Sequence, residues 1–476
     1  MQSKQSKKIS RFSGLVLALM LLFALSIQVS AAQTAASASC KLLDGNTIQY
    51  TASFSGTPST SDGMLYLYQL KTYEYAVPAG AAPVASCAVS ANPTMTFSLD
   101  SKAADGRLYA KFALGDKSGQ LLAVPQYITN PEVLATHNVS RNRVTKTTQD
   151  DSMTNVLLTG TGKGNVPPAA VNSTLQILCQ NQSVVAHPYA RGAIADTHPI
   201  HHQYYMLNGA EDAGIAALVS ELQYYAAGSN ATDFIIGNEM NERIWNYMAW
   251  VDWDTYVKEY TQAFRVCYTA IKSVNANANV YISLDQNWDR NRPAGHQEYY
   301  TFIDGKDFLE KFNATVTAGG NIDWCVGVHP YTVPLTNAKF WDMTGVADGA
   351  YCKSQVDQDK MVSFQNIGVF TSFLAQPAYL NTKGQVRDII INEIGLSATQ
   401  GDEVQAAAIC ASYQAFKRNP YITQYMYLSN LGDGVDSRLS GKALEVYKAL
   451  GTPQEESYME WAKSYIGISD WSQILK

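Results

Sequence analysis

The sequence predicts an α/β protein built on a (β/α)8 TIM-like barrel, incomplete or distorted in its first units, preceded by a small all-β sandwich domain. Three observations lead there. The all-apolar, β-branched runs Phe234-Ile235-Ile236 and Ile389-Ile390-Ile391 read as strands buried on both faces, as in a parallel sheet covered by helices. From about Asp233 onward, strands and amphipathic helices alternate through five successive units. Each apolar run is followed by an Asn-Glu pair, Asn238-Glu239 and Asn392-Glu393. A carboxylate at the carboxyl end of a buried strand lies where barrels keep their reactive groups.

The elements follow in order. Lys4, Lys7, Lys8 and Arg11 precede an apolar stretch over residues 15–27, and the small residues Val29-Ser30-Ala31 come next. That order is a secretory signal peptide, residues 1–31, so a secreted, extracellular protein is expected. The apolar stretch is too short and wrongly flanked to prefer a spanning helix; an uncleaved anchor is the other option. Residues 40–126 read as the sandwich, with strands over 47–54, 64–70, 94–99, 107–114 and 120–124 separated by Gly, Pro, Ser and Asp clusters. Carbohydrate binding and plain scaffolding are both open to it; scaffolding is favoured, because no aromatic stripe is resolved.

Residues 127–450 carry the barrel and 451–476 a helical tail. The first units are thin. Strands over 156–158 and 175–179 are separated by a Gly/Pro-rich linker, 160–168, with no room for a helix and its turns. A gap in the outer ring is expected there, with the segment around Trp461 and Trp471 a candidate to cover it. A helix over 213–227 follows, then the strand ending at Glu239. Tyr256, Tyr260, Phe264, Cys267, Ile271 and Val274 recur at helical spacing. Strands over 280–284, 324–328, 389–391 and 422–428 alternate with helices near 308–312, 361–374, 404–416 and 442–450.

Composition narrows the class. Of 476 residues 46% are hydrophobic and 16% charged, which suits a globular chain, and the length suits two domains. A formal charge of −6 leaves no basic footprint and argues against a nucleic-acid partner. No Gly-rich loop opens any helix, so no nucleotide cofactor is expected. Seven cysteines show no zinc-site spacing; export permits disulfides, and Cys40 with Cys87 is the most plausible bridge. Tyr outnumbers Phe, 29 to 15, which suits sugar platforms or merely the exterior of an exported protein.

Two carboxylates on different strands of one barrel suggest the acid/base and nucleophile pair that hydrolyses a glycosidic bond. One must be protonated to assist the leaving oxygen, and the other ionised to attack. The alternative for either is a loop-end carboxylate capping the next helix. Glu242 is a rival acid, better read as a solvated or substrate-rim residue. Asp285, Asn287 and Trp288 follow the fifth strand, and Trp288 is either a stacking surface for a sugar ring or a loop anchor. His198, His201 and His202, with His187 at the end of a strand over 184–186, invite a metal reading. No partner set has zinc spacing, so no metal is expected and these histidines are placed at the substrate rim.

The runs Ile236-Gly237-Asn238-Glu239-Met240-Asn241, Val280-Tyr281-Ile282-Ser283-Leu284-Asp285, His329-Pro330-Tyr331-Thr332-Val333-Pro334-Leu335 and Asn392-Glu393-Ile394-Gly395 occur in that order. They resemble an uncharacterised family of secreted bacterial proteins, domain-of-unknown-function family 5722. That family is in turn similar to the clan of retaining glycoside hydrolases on (β/α)8 barrels. The resemblance covers about residues 127–450 and is close from His198 onward. It implies that Glu239, ending the fourth strand, is the acid/base and Glu393, ending the seventh, the nucleophile. It implies that Asn238 bonds the hydroxyl beside the reacting carbon, and that His329 or Tyr331 touches the nucleophile, Tyr331 keeping it ionised. Burial should raise the pKa of Glu239. Tyr425-Met426-Tyr427 on the eighth strand has no Trp, which leaves the innermost sugar subsite in doubt. The expected function is a secreted, retaining glycosidase of an unknown oligosaccharide or polysaccharide. The alternative is a non-catalytic carbohydrate-binding or scaffolding barrel.

Overall fold

The computed structural model describes residues 34–99, 106–140, 144–161, 163–179, 185, 187–190, 204–293, 295–347, 349, 351–432 and 435–476. The expected signal peptide, His198, His201, His202 and most of the 184–186 strand lie outside them. Among the described residues no helix is long and apolar enough to cross a membrane. Contacts divide the chain into two units: the part up to Leu134 with Val316–Asn321, and Ala135–Thr315 with Ile322–Lys476.

The first unit holds β1 (Ser37–Leu42), β2 (Thr47–Ser53), β3 (Met64–Leu70), β4 (Ala85–Ala88), β5 (Thr94–Ser98), β6 (Lys111–Gly115) and β7 (Gln126–Tyr127). They form two antiparallel sheets, β1-β2-β5 and β4-β3-β6-β7. The period-two pattern drives this: Ile48, Tyr50 and Ala52 of β2 are buried while the residues between them are not. Phe97 of one sheet meets Phe112 of the other at 4.9 Å between ring centroids. Two expectations need correction. Residues 120–124 are not a strand, since only Leu121 bridges to Gly115 before the chain reaches Pro125. Cys40 and Cys87 are free thiols, because they sit on β1 and β4, which belong to different sheets.

The second unit is the barrel. Its eight parallel strands are β8 (Lys146–Thr148), β9 (Met153–Leu157), β10 (Thr174–Leu178), β11 (Asp233–Ile236), β12 (Asn279–Leu284), β13 (Trp324–Val328), β14 (Ile389–Ile394) and β15 (Ile422–Tyr427). The ladder runs from β9 through β15 in sequence order and then to β8. A short helix, α1 (Gln149–Ser152), joins β8 to β9, and no ladder pairs those two strands. A parallel crossover needs about a dozen residues or more. Four cannot return the chain, so the seam lies here.

Outside the strands stand α2 (Asp212–Gly228), α3 (Trp253–Lys272), α4 (Gly305–Ala318), α5 (Lys353–Asp357), α6 (Gly368–Leu374), α7 (Asp402–Arg418), α8 (Gly441–Ala449) and α9 (Glu455–Ile466). Asp252 caps α3 by accepting from Thr255 N at 2.8 Å. The helix lays Tyr256, Tyr260, Phe264 and Cys267 inward, and the Tyr260 hydroxyl donates to Ile236 O of β11 at 2.8 Å. The helix expected over 361–374 is split, because Ser363 and Asn366 form a capping box that opens a separate 3₁₀ turn before α6.

Between β9 and β10 the described residues hold only the 3₁₀ turn Pro168–Ala170. The expected cover from Trp461 and Trp471 is not found at this gap. Helix α9 packs on α7 and α8, behind the last strands, and the chain ends beside Gln365. The linker is instead held by α2, whose Tyr225 hydroxyl donates to Val166 O at 2.7 Å.

The barrel interior is layered. Met153, Ile235, Tyr281, Cys325, Ile390 and Met426 form one buried cluster, with one residue from each of six strands. Two residues further along their strands come Ser283, Gly327 and Asn392, so polar atoms succeed apolar ones toward the mouth. Gly327 makes room, since a Cβ there would overlap the Asn392 carboxamide oxygen. Gly327→Ala is therefore expected to cost about 1–3 kcal/mol by overpacking, read as a lower denaturation midpoint in urea.

Candidate active site

Glu239 is placed by a strained turn. Strand β11 ends at Ile236, Gly237 takes φ 85°, and Glu239 itself lies in the left-handed region at φ 44°. The Asn246 side chain steadies this turn, donating to Asn238 O at 2.5 Å, Glu239 O at 3.3 Å and Glu242 O at 3.2 Å. Glu393 sits near the end of β14, where the register with β15 shifts between Ile391 and Ile394. A bulge of that kind re-aims a side chain.

The two carboxylates meet on His329. That imidazole is fully buried; its Nδ1 lies 2.7 Å from Glu239 Oε1 and its Nε2 lies 3.9 Å from Glu393 Oε2. The ring therefore spaces the nearer oxygens by no more than about 9 Å, inside the combined span of retaining and inverting glycosidase pairs. The Glu239 and Glu393 side chains are 13% and 19% exposed, so both are reachable.

Electrostatics differ from expectation at Glu239. Burial does push its pKa up, but hydrogen bonding and charge from His329, with hydrogen bonds from Glu242 and Trp245, outweigh it and leave the value lowered. For His329, burial opposes protonation, while Glu393, Glu239 and Asp285 favour it and win, so its pKa is raised. Asn392 Nδ2 stands 2.8 Å from His329 Nε2, which suits a neutral ring with its proton on Nδ1. A half-turn of the Asn392 amide would offer an oxygen to a second ring proton instead. Ser283 Oγ, 3.1 Å from the same nitrogen, serves either state.

The other expected residues divide. Tyr331 donates its hydroxyl hydrogen to Glu393 Oε1. Asn238 is oriented by Gln176, whose Nε2 donates to its Oδ1 at 2.9 Å. Asp285 is buried, accepting from the side chains of Asn241 and Asn287, and burial together with the Glu239 charge pushes its pKa up to about 6. Trp288 is a loop anchor, not a sugar platform: it is buried, with its ring edge-on to Phe370 and Phe373. His187 does not reach the substrate rim, because it is buried facing Glu259 of α3 at 3.9 Å. Glu242 is not solvated; it is buried and hydrogen-bonds Glu239. Among the described residues no three His, Cys, Asp or Glu side chains converge as metal ligands.

Sequence reasoning missed Gln149, Gln176, Ser283 and Trp245. Gln149 Nε2 donates to Asn392 O at 2.8 Å and reaches Glu393 Oε2 at 3.4 Å. Gln176 carried a usable signal, a polar residue in the otherwise apolar run Leu175-Gln176-Ile177-Leu178.

Comparison with known proteins bears on the family. One family model matches residues 168–474, well over half of the chain. The protein belongs to DUF5722, a family of unknown function. The match takes in both glutamates of this DUF5722 chain, His329 and all but the first two barrel strands. No curated protein matches the sequence. Among solved structures, a family 39 glycoside hydrolase from Bacteroides cellulosilyticus is 12% identical over 84% of this chain and 79% of its own, at a TM-score of 0.36. A β-glucosidase from Pyrococcus furiosus is 14% identical over 62% and 69%, at 0.38. A GH128 endo-β-1,3-glucanase from Sorangium cellulosum is 13% identical over 49% and 77%, at 0.32. Likenesses this distant say nothing about substrate or mechanism.

The shifts give the DUF5722 site a definite pH signature. Asp285 keeps its proton to about 6 when folded but loses it near 3.8 when unfolded, so its contribution to stability falls as pH rises through that window. His329, raised above 6.5, contributes stability fully below 6.5 that is lost as pH rises through its folded value. Glu239, lowered below 4.5, contributes stability above 4.5 that is lost as pH falls through its folded value. The Tm of the parent minus that of Asp285→Asn should therefore decline from about pH 4 to pH 6. The same difference for His329→Gln should shrink above about pH 6.5. Differences that stay flat across the scan would contradict these assignments.

Proposed function

We propose that this protein is an exported glycoside hydrolase acting with retention on an oligosaccharide or polysaccharide. The observation that carries the reading is the placement of two reachable carboxylates on the two nitrogens of one buried imidazole at the mouth of a parallel barrel. Glu393, oriented by Tyr331 and Gln149, attacks the anomeric carbon as the C–O bond to the leaving group breaks. Glu239 gives its proton to the departing oxygen. The resting Glu239 favours the ionised form, so the doubly protonated His329 is the proton store: the imidazolium passes its Nδ1 proton to Glu239 Oε1 along their 2.7 Å contact and is left neutral with its proton on Nε2, beside Asn392 and Ser283. In the second step Glu239 takes a proton from water, whose oxygen attacks the glycosyl–Glu393 ester and frees the carboxylate. Asn238, its amide oxygen engaged by Gln176, presents its N–H group to an acceptor on the bound sugar.

The lowered pKa of Glu239 also favours a second reading, a carbohydrate-binding barrel without catalysis. Kinetics separate the two. On glycosides with poor leaving groups, Glu239→Gln should lower kcat by about 10²–10⁴-fold, with most activity recovered on dinitrophenyl glycosides. Glu393→Gln should abolish both activities. The first-formed sugar, followed by proton NMR, should keep the anomeric configuration of the substrate. An inverted product removes the retaining assignment, and no turnover on any of a broad glycoside panel leaves the binding reading.

A further inference from the structure

The chain leaving β11 runs over the barrel mouth, and most of it is buried: Met240, Asn241, Glu242, Arg243, Asn246, Tyr247, Met248 and Ala249. Trp245 is the large exception, remaining half-buried within this tightly packed segment. Its indole N–H is directed at the Glu239 carboxyl closely enough to help hold that carboxyl's pKa down. Because that N–H lies in the ring plane, the ring stands edge-on to the carboxyl and turns its two faces sideways. One face is taken by Tyr204, stacked at 5.6 Å between centroids and 30° between planes.

The pair is rigidly mounted. Tyr204 N donates to Ile244 O at 3.4 Å, Tyr247 N to Tyr204 O at 3.0 Å, and Met206 N to Tyr247 O at 3.0 Å, a short ladder across the base of the stack. Asn246, the residue after Trp245, is pinned by the three carbonyl contacts that also hold Glu239. Among the described residues no cation stacks on Trp245; Arg243, two residues before it, places its guanidinium 4.0 Å from the Trp253 ring and donates to Ala249 O. Of the other tryptophans of the neighbourhood, Trp253 is buried with its N–H on Tyr299 O and Trp288 is enclosed by phenylalanines, while Trp250, half-buried like Trp245, stands edge-on to Tyr247 and Tyr300 with the Arg243 guanidinium 5.5 Å from its ring.

We infer that Trp245, backed by Tyr204, is the stacking platform for a neutral pyranose ring on the leaving-group side of the cleavage point. The inference rests on the assignment of Glu239 as proton donor, since whatever is attached to the oxygen it protonates borders this ring. The apolar C–H face of a pyranose packs on such a surface, and a rigid aromatic supplies contact area with little loss of rotamer freedom. Among the described residues no cation stacks on this pair to receive an acidic or phosphorylated unit. The protein is thereby expected to act within or upon chains of neutral sugars, with a sugar on both sides of the broken bond.

The test uses the full chain carrying Glu393→Gln, alone and combined with Trp245→Ala, Trp245→Phe or Tyr204→Leu. Each is titrated on an array of neutral tetrasaccharides of glucose, xylose, mannose and galactose in α and β linkage, with thermal melts as the check on folding. At least one tetrasaccharide should bind, about tenfold weaker with Trp245→Ala and much less affected by Trp245→Phe, which keeps a ring. Tyr204→Leu should weaken binding in the same direction, and serves as the test if Trp245→Ala does not fold. A blank array, or affinities unchanged by Trp245→Ala and Tyr204→Leu in folded protein, overturns the platform. Hydrolysis of an oligosaccharide with KM indifferent to Trp245 overturns it while leaving the hydrolase reading intact. Trp245-dependent binding without hydrolysis by the parent chain keeps the platform and removes the hydrolase reading.

Discussion

Burying ionisable groups costs several kcal/mol each unless partners compensate. The mouth of this barrel gathers Glu239, Asp285 and Glu393 around one imidazole, with Glu242 against Glu239. His329 touches two of these carboxylates, and the charges of Glu239, Glu393 and Asp285 all raise its affinity for a proton. Without that ring, Glu239 and Glu393 would face one another across a poorly solvated space with no positive group between them. Glu242 and Asp285 are tolerable for a different reason. Asp285 is pushed toward its neutral form and lies in amide donors, and Glu242 shares a hydrogen bond with Glu239. The site is best regarded as one coupled set of protons, whose titration belongs to the group more than to any member.

The backbone pays for this arrangement in conformational strain. A non-glycine residue at φ 44° is disfavoured, and the turn persists because Gly237 precedes it and Asn246 satisfies three carbonyls around it. Below the carboxylates, Gly327 leaves the volume in which Asn392 reaches His329. A larger residue on β13 would overlap the Asn392 side chain and remove the hydrogen bond, so the missing side chain at Gly327 is what admits the polar contact.

Much of this was legible in the chain. A buried parallel strand needs an all-apolar run, so β11, β13 and β14 stand out, and with them the Asn-Glu pairs at their ends. What hid was of three kinds. Gln176 and Ser283 are single polar residues inside strands, and whether such a residue faces the barrel axis depends on pleat and register, which a linear pattern does not give. Gln149 and Trp245 act through turns whose geometry comes from long-range contacts. Trp288 and His187 carry the right chemistry, but the helices and loops that bury them are set by tertiary packing. The pKa of Glu239 belongs here too: burial was foreseeable, whereas the histidine contact that overrides it comes from a strand 90 residues away.

The contracted start of the barrel bears on whether the site is built for chemistry. Lost elements on that side would favour a passive barrel, whereas the contacts of Glu393 support the proposed hydrolase. Because α1 is only one turn long, the chain passes from β8 to β9 with no outer helix between them, and Gln149 at its first position comes to rest on Asn392 O and beside Glu393. A full helix in that place would carry the chain down the outside of the barrel before the next strand began. The short connection thus supplies one of the two neutral donors that orient Glu393, Tyr331 being the other. A carboxylate fixed in direction on both of its oxygens suits the attack proposed for Glu393, because displacement at the anomeric carbon demands in-line approach.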